Sequence, residues 1–307
     1  MSGAARLTRR GVLASALAAA TGAVRAAAPI VVGSKLDLEG GLIGQMMLLA
    51  LARAGVPTVN RLQLGPTAIL RQALLSGAVD LCVEYTGNAA LFFHQEDDPA
   101  WRDALAGFAR AAALDYAANR LVWLQPAPAD NSWVIAIPNA LARDKRLRTL
   151  DDFAAFVHAG ERVKLAASAE FVESAAGLPA FEAAYGFKLW ASQLLVLSGG
   201  ETTATMKAAA DGISDVNAAM AYGSDGALDA LDLHALQDPR HAEPVYAPAP
   251  VIRAATLETY PQVRQALAPV FAGLNLETLR ALNEKVAVEG EDAAVVARDY
   301  LATRSLL

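Results

Sequence analysis

Four aromatic residues have spacings that allow a shared chemistry. Tyr85 ends the apolar run Val79-Asp80-Leu81-Cys82-Val83-Glu84, just before Thr86-Gly87-Asn88. Trp133 opens an apolar run behind the segment Gln125-Pro126-Ala127-Pro128-Ala129-Asp130. Tyr222 closes the run 216–221, and Tyr246 lies in a second stretch rich in Pro and Ala, 234–250. Each ring taken alone suits packing as well as ligand contact. Together, facing one cleft, they would form a cage for a cation without N–H groups. A quaternary ammonium spreads its charge over methyl groups and is best held by several π faces, each contributing roughly 0.5–2 kcal/mol once desolvated.

Other chemistries find less support. His94, His158, His234 and His241 lack the spacing of a zinc site, and Ser34, Ser168 and Ser198 have no Gly-x-Ser-x-Gly setting. Cys82, the single cysteine, sits inside an apolar run, which excludes an intrachain disulfide. Gly40, Gly41 and Gly44 are not followed by Gly-Lys-Ser/Thr, so they do not make a phosphate loop. These residues give no support to a catalytic triad, a cofactor-binding loop or a metal site. The charge runs Arg143-Asp144-Lys145-Arg146 and Gln95-Glu96-Asp97-Asp98 read as solvated surface.

The elements that must position these residues alternate. Strands are predicted at 29–34, 58–64 and 79–83, with helices at 39–54 and 68–75 between them, which is a βαβαβ pattern with a parallel sheet. Thr86 or Asn88 is expected to cap the helix that follows, whose free N–H groups face the crevice beyond the strand ends. One or two helices occupy 99–119 with Trp101, Leu105, Phe108 and Leu114 inward, and a short strand follows at 121–124. A second unit begins after residue 130, with strands at 131–137, 163–167, 194–197 and 216–221. Its helices are predicted at 150–157 and 178–185, and a third, capped by 198–203, runs through Ala210. The stretch 234–250 returns to the first unit, which helices at 276–286 and 292–302 complete. The expected lobes are therefore 27–130 with 243–307, and 131–242, joined by two crossings around a cleft.

Residues 1–26 read as an export signal, with Arg6, Arg9 and Arg10 ahead of the apolar stretch 11–24. Thr8-Arg9-Arg10-Gly11-Val12-Leu13 resembles the twin-arginine signature, and cleavage is expected after Ala26. Mean hydropathy is +0.29, yet no later stretch is long and apolar enough for a membrane span. Four of the 26 basic residues and none of the 32 acids fall in the leader, leaving 22 against 32, about −10. That balance argues against a nucleic-acid or anionic-membrane partner and suits a cationic ligand. With no cysteine directly after the leader to carry a lipid, the mature protein is expected to be soluble and periplasmic, and it is expected to be monomeric.

Several motifs carry a family resemblance: Val32-Gly33-Ser34-Lys35, Glu84-Tyr85-Thr86-Gly87, Glu170-Phe171-Val172-Glu173, Ser224-Asp225-Gly226 and Pro248-Ala249-Pro250-Val251. In these the chain resembles the glycine betaine/choline substrate-binding proteins of ABC transporters. The resemblance implies a type II periplasmic-binding-protein fold, α/β, with two lobes and a two-crossing hinge. It implies delivery of a quaternary ammonium osmoprotectant to an ABC permease, with Tyr85, Trp133, Tyr222 and Tyr246 around the ammonium. Lys35 and Asn88 are placed near the ligand's polar end. Three positions depart from the family: Trp133 stands for a common tyrosine, Asn88 for threonine and Ser174 for an arginine able to pair with a ligand carboxylate. Loss of that arginine favours choline or another ligand lacking a carboxylate. The alternative is the same fold serving a different small molecule or acting as a ligand sensor.

Overall fold

The structure, a computed structural model, describes Met1 and residues 28–197 and 202–307. The expected leader and the segment Ser198 to Glu201, expected to begin a helix cap, lie outside the described residues. The described chain is α/β, built on two five-stranded sheets. The first contains β1 (Ile30–Lys35), β2 (Thr58–Gly65), β3 (Leu81–Tyr85) and β4 (Leu121–Trp123). The second contains β5 (Trp133–Pro138), β6 (Leu165–Ser168), β7 (Leu194–Leu197), β8 (Ala218–Tyr222) and β9 (Leu233–Ala235). The chain then returns to the first sheet as β10 (Pro248–Arg253). The strand orders are β2-β1-β3-β10-β4 and β7-β6-β8-β5-β9.

Each sheet has the same plan. β1 runs parallel to β2 and β3, and β6 parallel to β7 and β8. The strand arriving from a crossing is antiparallel to its neighbours: β10 beside β3 and β4, and β5 beside β8 and β9. Every residue of β3 and of β6 is buried, as central strands with covered faces require.

The helix Leu38–Arg53 covers one face of the first sheet. Asp37 caps it, accepting the Gly40 N–H at 2.6 Å, and Leu42, Ile43, Met46, Met47 and Leu51 turn into a core shared with Val263, Leu267, Phe271 and Leu301. In the second sheet the helix Leu150–His158 begins in a reciprocal capping box between Thr149 and Asp152. It buries Phe153 and Phe156 with Phe171, Phe181 and Tyr185. Among the described residues no helix is long and apolar enough to cross a membrane.

Three expectations are corrected. Leu105 is 77% exposed rather than inward, because it sits two positions past the Asp103 cap in the first turn of the helix Ala104–Asn119; Trp101 alone of the expected set is fully buried. Neither Thr86 nor Asn88 caps a helix: Gly87 occupies the cap position without a side-chain bond, and Thr86 serves the crossing instead. Third, the 234–250 stretch ends in a strand, β10, that its prolines conceal, since proline within a run argues against a central strand. In an extended strand a residue's N and C=O point the same way. Pro250 O accepts from Leu124 N and Pro248 O from Ala127 N, both at 2.8 Å. The missing N–H groups therefore face the irregular chain beyond β4, and the ladder to β3 loses nothing.

Candidate functional site

The candidate residues gather where the two sheets meet at the crossings. β1 and β3 both end there. Lys35 is the last residue of β1, and its Nζ lies 2.9 Å from Glu84 Oε1 of β3. The same oxygen accepts from the Tyr85 N–H at 2.8 Å and from Asn88 Nδ2 at 2.7 Å. Glu84 is buried and compensated by one cation and two neutral donors, the arrangement a buried carboxylate needs. The pairing also holds the Lys35 ammonium 4.3 Å from the centroid of the Tyr85 ring. The π face of Tyr85 thus already carries a cation.

Tyr85 is fixed at its other end by Glu39, an acid in the first turn of the helix Leu38–Arg53. The phenol donates to Glu39 Oε1 at 2.8 Å, Asn131 Nδ2 to the same oxygen at 3.1 Å, and Asn283 Nδ2 to Oε2 at 2.8 Å. Burial raises the Glu39 pKa above its ordinary value, against the opposing pull of Ser224, Asn283 and Tyr85. Burial, then the Glu39 charge, pushes the Tyr85 phenol well above the usual tyrosine range. A neutral phenol donating to a carboxylate keeps an electron-rich ring, which strengthens attraction for a cation.

Trp133 and Tyr222 are direct partners across the β5 and β8 ladder. Their rings stack with centroids 6.4 Å apart and 17° between planes, and Phe171 meets Trp133 edge-on at 5.5 Å and 79°. The buried Trp133 indole N–H lies near the Tyr222 phenol and opposes the rise in its pKa, without hydrogen-bond geometry. Burial dominates and brings the Tyr222 pKa up to about 12, and it raises that of Tyr246 as well. Both rings are neutral near pH 7.

Tyr246 lies in the second crossing, outside any strand, and its ring is set against Gly87. A Cβ there would come within 2.8 Å of the ring, so glycine is required for space. Thr86 anchors this crossing: its hydroxyl donates to Val245 O at 2.7 Å and accepts from Ala247 N at 3.1 Å. The crossings also bind each other. Asp130 Oδ1 accepts from Tyr246 N at 2.8 Å, Asn131 N donates to Tyr246 O at 3.0 Å, and the Ser132 hydroxyl meets Asp130 and the Pro244 carbonyl.

The loop after β8 joins the first-sheet side through the helix Leu276–Ala287. Arg280 Nε donates to Gly223 O at 2.7 Å, and Asn283 Nδ2 to Ser224 O at 2.9 Å. Gly226 lies so close to this helix that a Cβ would fall 2.1 Å from Glu284 N.

The structure therefore forms two groups from the expected residues. Lys35, Tyr85 and Asn88 converge on Glu84, with Tyr246 against the adjoining Gly87; Trp133 and Tyr222 stack on the second sheet. Glu39, Asn131 and Asn283, which link the two sides, escape a reading by sequence. Glu39 carries one signal, a lone acid in a strongly apolar helix just beyond Gly-Ser-Lys. Asn131 and Asn283 carry none, since amides are common in loops and on helix surfaces.

Comparison with known proteins gives a consistent picture. Residues 28–303 match the family model described as the substrate binding domain of ABC-type glycine betaine transport system. The glycine betaine-binding protein YehZ of Escherichia coli (strain K12) is 52% identical over 285 residues, 93% of this chain and 93% of that protein. The solved structure of apo YehZ from Escherichia coli covers 92% of this chain and 100% of its own, with a TM-score of 0.80. A glycine betaine/carnitine/choline ABC transporter structure, at 19% identity, shares the fold with a TM-score of 0.77, covering 90% of this chain and 99% of its own.

Proposed function

The chain belongs to the family of substrate-binding domains of ABC-type glycine betaine transport systems, and from that premise we propose that it captures a quaternary ammonium compound between its sheets. In this reading the ligand is glycine betaine, choline or a close analogue, and the loaded protein presents it to the importer's permease. The ammonium is held by Tyr85, Trp133, Tyr222 and Tyr246, with Lys35 and Asn88 toward the polar end. The lobes are 27–130 with 243–307, and 131–242. The protein works as a periplasmic monomer after removal of residues 1–26, and its negative charge keeps it from nucleic acid.

The observation that carries the reading is the Lys35 ammonium resting 4.3 Å over the Tyr85 ring, while a stacked Trp133 and Tyr222 pair supplies further π surface. Binding has a physical consequence for Lys35. A ligand ammonium that takes the occupied face of Tyr85 displaces it, and the released lysine, still beside Glu84, becomes available to a ligand carboxylate. Ser174, which accepts the Ala176 N–H at 3.3 Å, brings no charge to replace the expected arginine. The ratio of glycine betaine to choline affinity measures how far Lys35 makes up for it.

The test is calorimetric titration of refolded, ligand-stripped protein with glycine betaine, choline, proline betaine and carnitine. At least one should bind with one-to-one stoichiometry. Tyr85→Ala and Trp133→Ala should each weaken binding roughly tenfold, the loss expected when one desolvated π face is removed. Folded protein that binds none of the four, or binds equally well without either ring, would sink the proposal.

A further inference from the structure

A second concave site lies on the second sheet's side, at the far end of β5. Trp133 begins that strand and Asn139 follows its end, about 20 Å away at ~3.3 Å per residue. The helix Asn139–Lys145 stops at Arg146, which takes a left-handed conformation with φ of 57° and turns the chain back. Arg143, Arg146 and Arg148, which a continued helix would spread around its surface, come to line one cavity of about 630 Å³ with Asn139, Asp152 and His234.

The three arginines are exposed around an open concavity, and no acid of its lining pairs with them. Among the described residues none of the three guanidiniums is within ion-pair distance of a carboxylate, whereas neighbouring Lys145 pairs with Glu161 at 2.7 Å. The lining's one acid, Asp152, turns Oδ2 to the N–H groups of Arg148 and Thr149 at 2.9 and 3.0 Å. His234 comes from the edge strand β9, and its Nε2 is shielded from solvent with no hydrogen-bond partner. Asn139 donates its side-chain N–H to Asp232 outside the cavity, at 2.8 Å.

We propose that this cavity is an anion site for a phosphate group, separate from the quaternary ammonium cleft. Three arginines and one aspartate give the lining a formal charge of +2, which matches a phosphate dianion. Planar guanidinium forks bind phosphate oxygens bidentately, and a single carboxylate would leave one of the three without a partner. The His234 ring completes the lining. The volume falls within the range of small-molecule sites and exceeds one phosphate, leaving room for an organic portion over Ala142 and Leu147. The net negative charge of the whole chain makes this basic concavity a local exception, able to attract an anion over short range.

The test uses the full chain, with inorganic phosphate and glycerol phosphate titrated by calorimetry and by amide chemical shifts. One equivalent of each should bind, with the largest shifts between Asn139 and Thr149. The double variant Arg143→Gln/Arg148→Gln should weaken binding at least tenfold, and an equal charge change elsewhere, Arg61→Gln/Arg298→Gln, should leave it unchanged. The amide shifts of the unaltered protein decide the matter if the first variant fails to fold. Flotation with phosphatidylglycerol or phosphatidylcholine vesicles separates the sources. Preferential capture by the former identifies a lipid headgroup, and binding of the soluble phosphates alone identifies a free phosphate ester. No saturable binding of any probe, shifts centred elsewhere, or equal loss in both variants overturns the proposal.

Discussion

Glu243→Gln should stabilise the folded protein by an amount that grows with pH. Glu243 lies beside the second crossing, buried, with neither carboxyl oxygen hydrogen-bonded. Burial, followed by the charges of Asp238 and Asp130, pushes its pKa up to about 9 from 4.5, and Arg102 only partly offsets them. A raised folded-state pKa means the native protein holds a proton that the unfolded chain releases. Its contribution is fully present below about pH 4.5 and is lost progressively as pH rises toward 9. At about 1.36 kcal/mol per unit, the native state bears a penalty of about 3 kcal/mol at around pH 7. Glutamine keeps the shape and cannot ionise. Urea unfolding of both proteins from about pH 5 to pH 9 should therefore give stability curves that diverge by roughly 1 kcal/mol per pH unit, with equal m-values. The amide's different packing adds an offset independent of pH, so the slope is diagnostic. Parallel curves would refute the reasoning, because Glu243 would then titrate alike in folded and unfolded chains.

Asp115→Asn should destabilise the protein by about 3–5 kcal/mol in urea unfolding, because it strands buried Arg71, whose guanidinium meets Asp115 in two bonds of 2.6 and 2.8 Å. Thr86→Val should lower stability by about 1–3 kcal/mol by leaving Val245 O and Ala247 N without their partner, and should also weaken ligand binding in titration through Tyr246. Gly226→Ala forces a methyl into the backbone of the helix Leu276–Ala287; a loss of about 1–3 kcal/mol in thermal or urea unfolding is expected.

Periodicity and punctuation made much of the fold legible. The broad apolar face at Leu42, Ile43, Met46 and Met47 could only be a helix against a sheet, and the run ending at Tyr85 only a buried strand. Tyr85, Trp133 and Tyr222 stand at strand ends, as the breaks in their runs predict. β10 was hidden because its prolines oppose a central strand in any local reading; their harmlessness depends on which edge each imide faces, a property of the assembled sheet. Leu105 misled because its apolar character says nothing of its place in the first turn. Lys35 was legible as a cation at a strand end. Its partnership with Glu84 was not, since the two residues lie far apart in sequence and meet only through the pairing of β1 with β3. The Glu39 network shares that origin, drawing on chain near residues 39, 85, 131 and 283.

The place of β10 bears on the order in which the protein can be made. It lies between β3 and β4, where Pro250 pairs with Val83 and Val251 with Trp123. A chain emerging amino-terminus first must therefore hold both strands with a gap between them until residue 248 has been synthesised. Meanwhile every strand of the second sheet is already available. Val83 and Tyr85 thus remain on an unpaired, apolar edge for much of translation, the kind of edge that recruits other chains. Premature termination before β10 would leave that edge open permanently, and such fragments should aggregate even though their second sheet is complete.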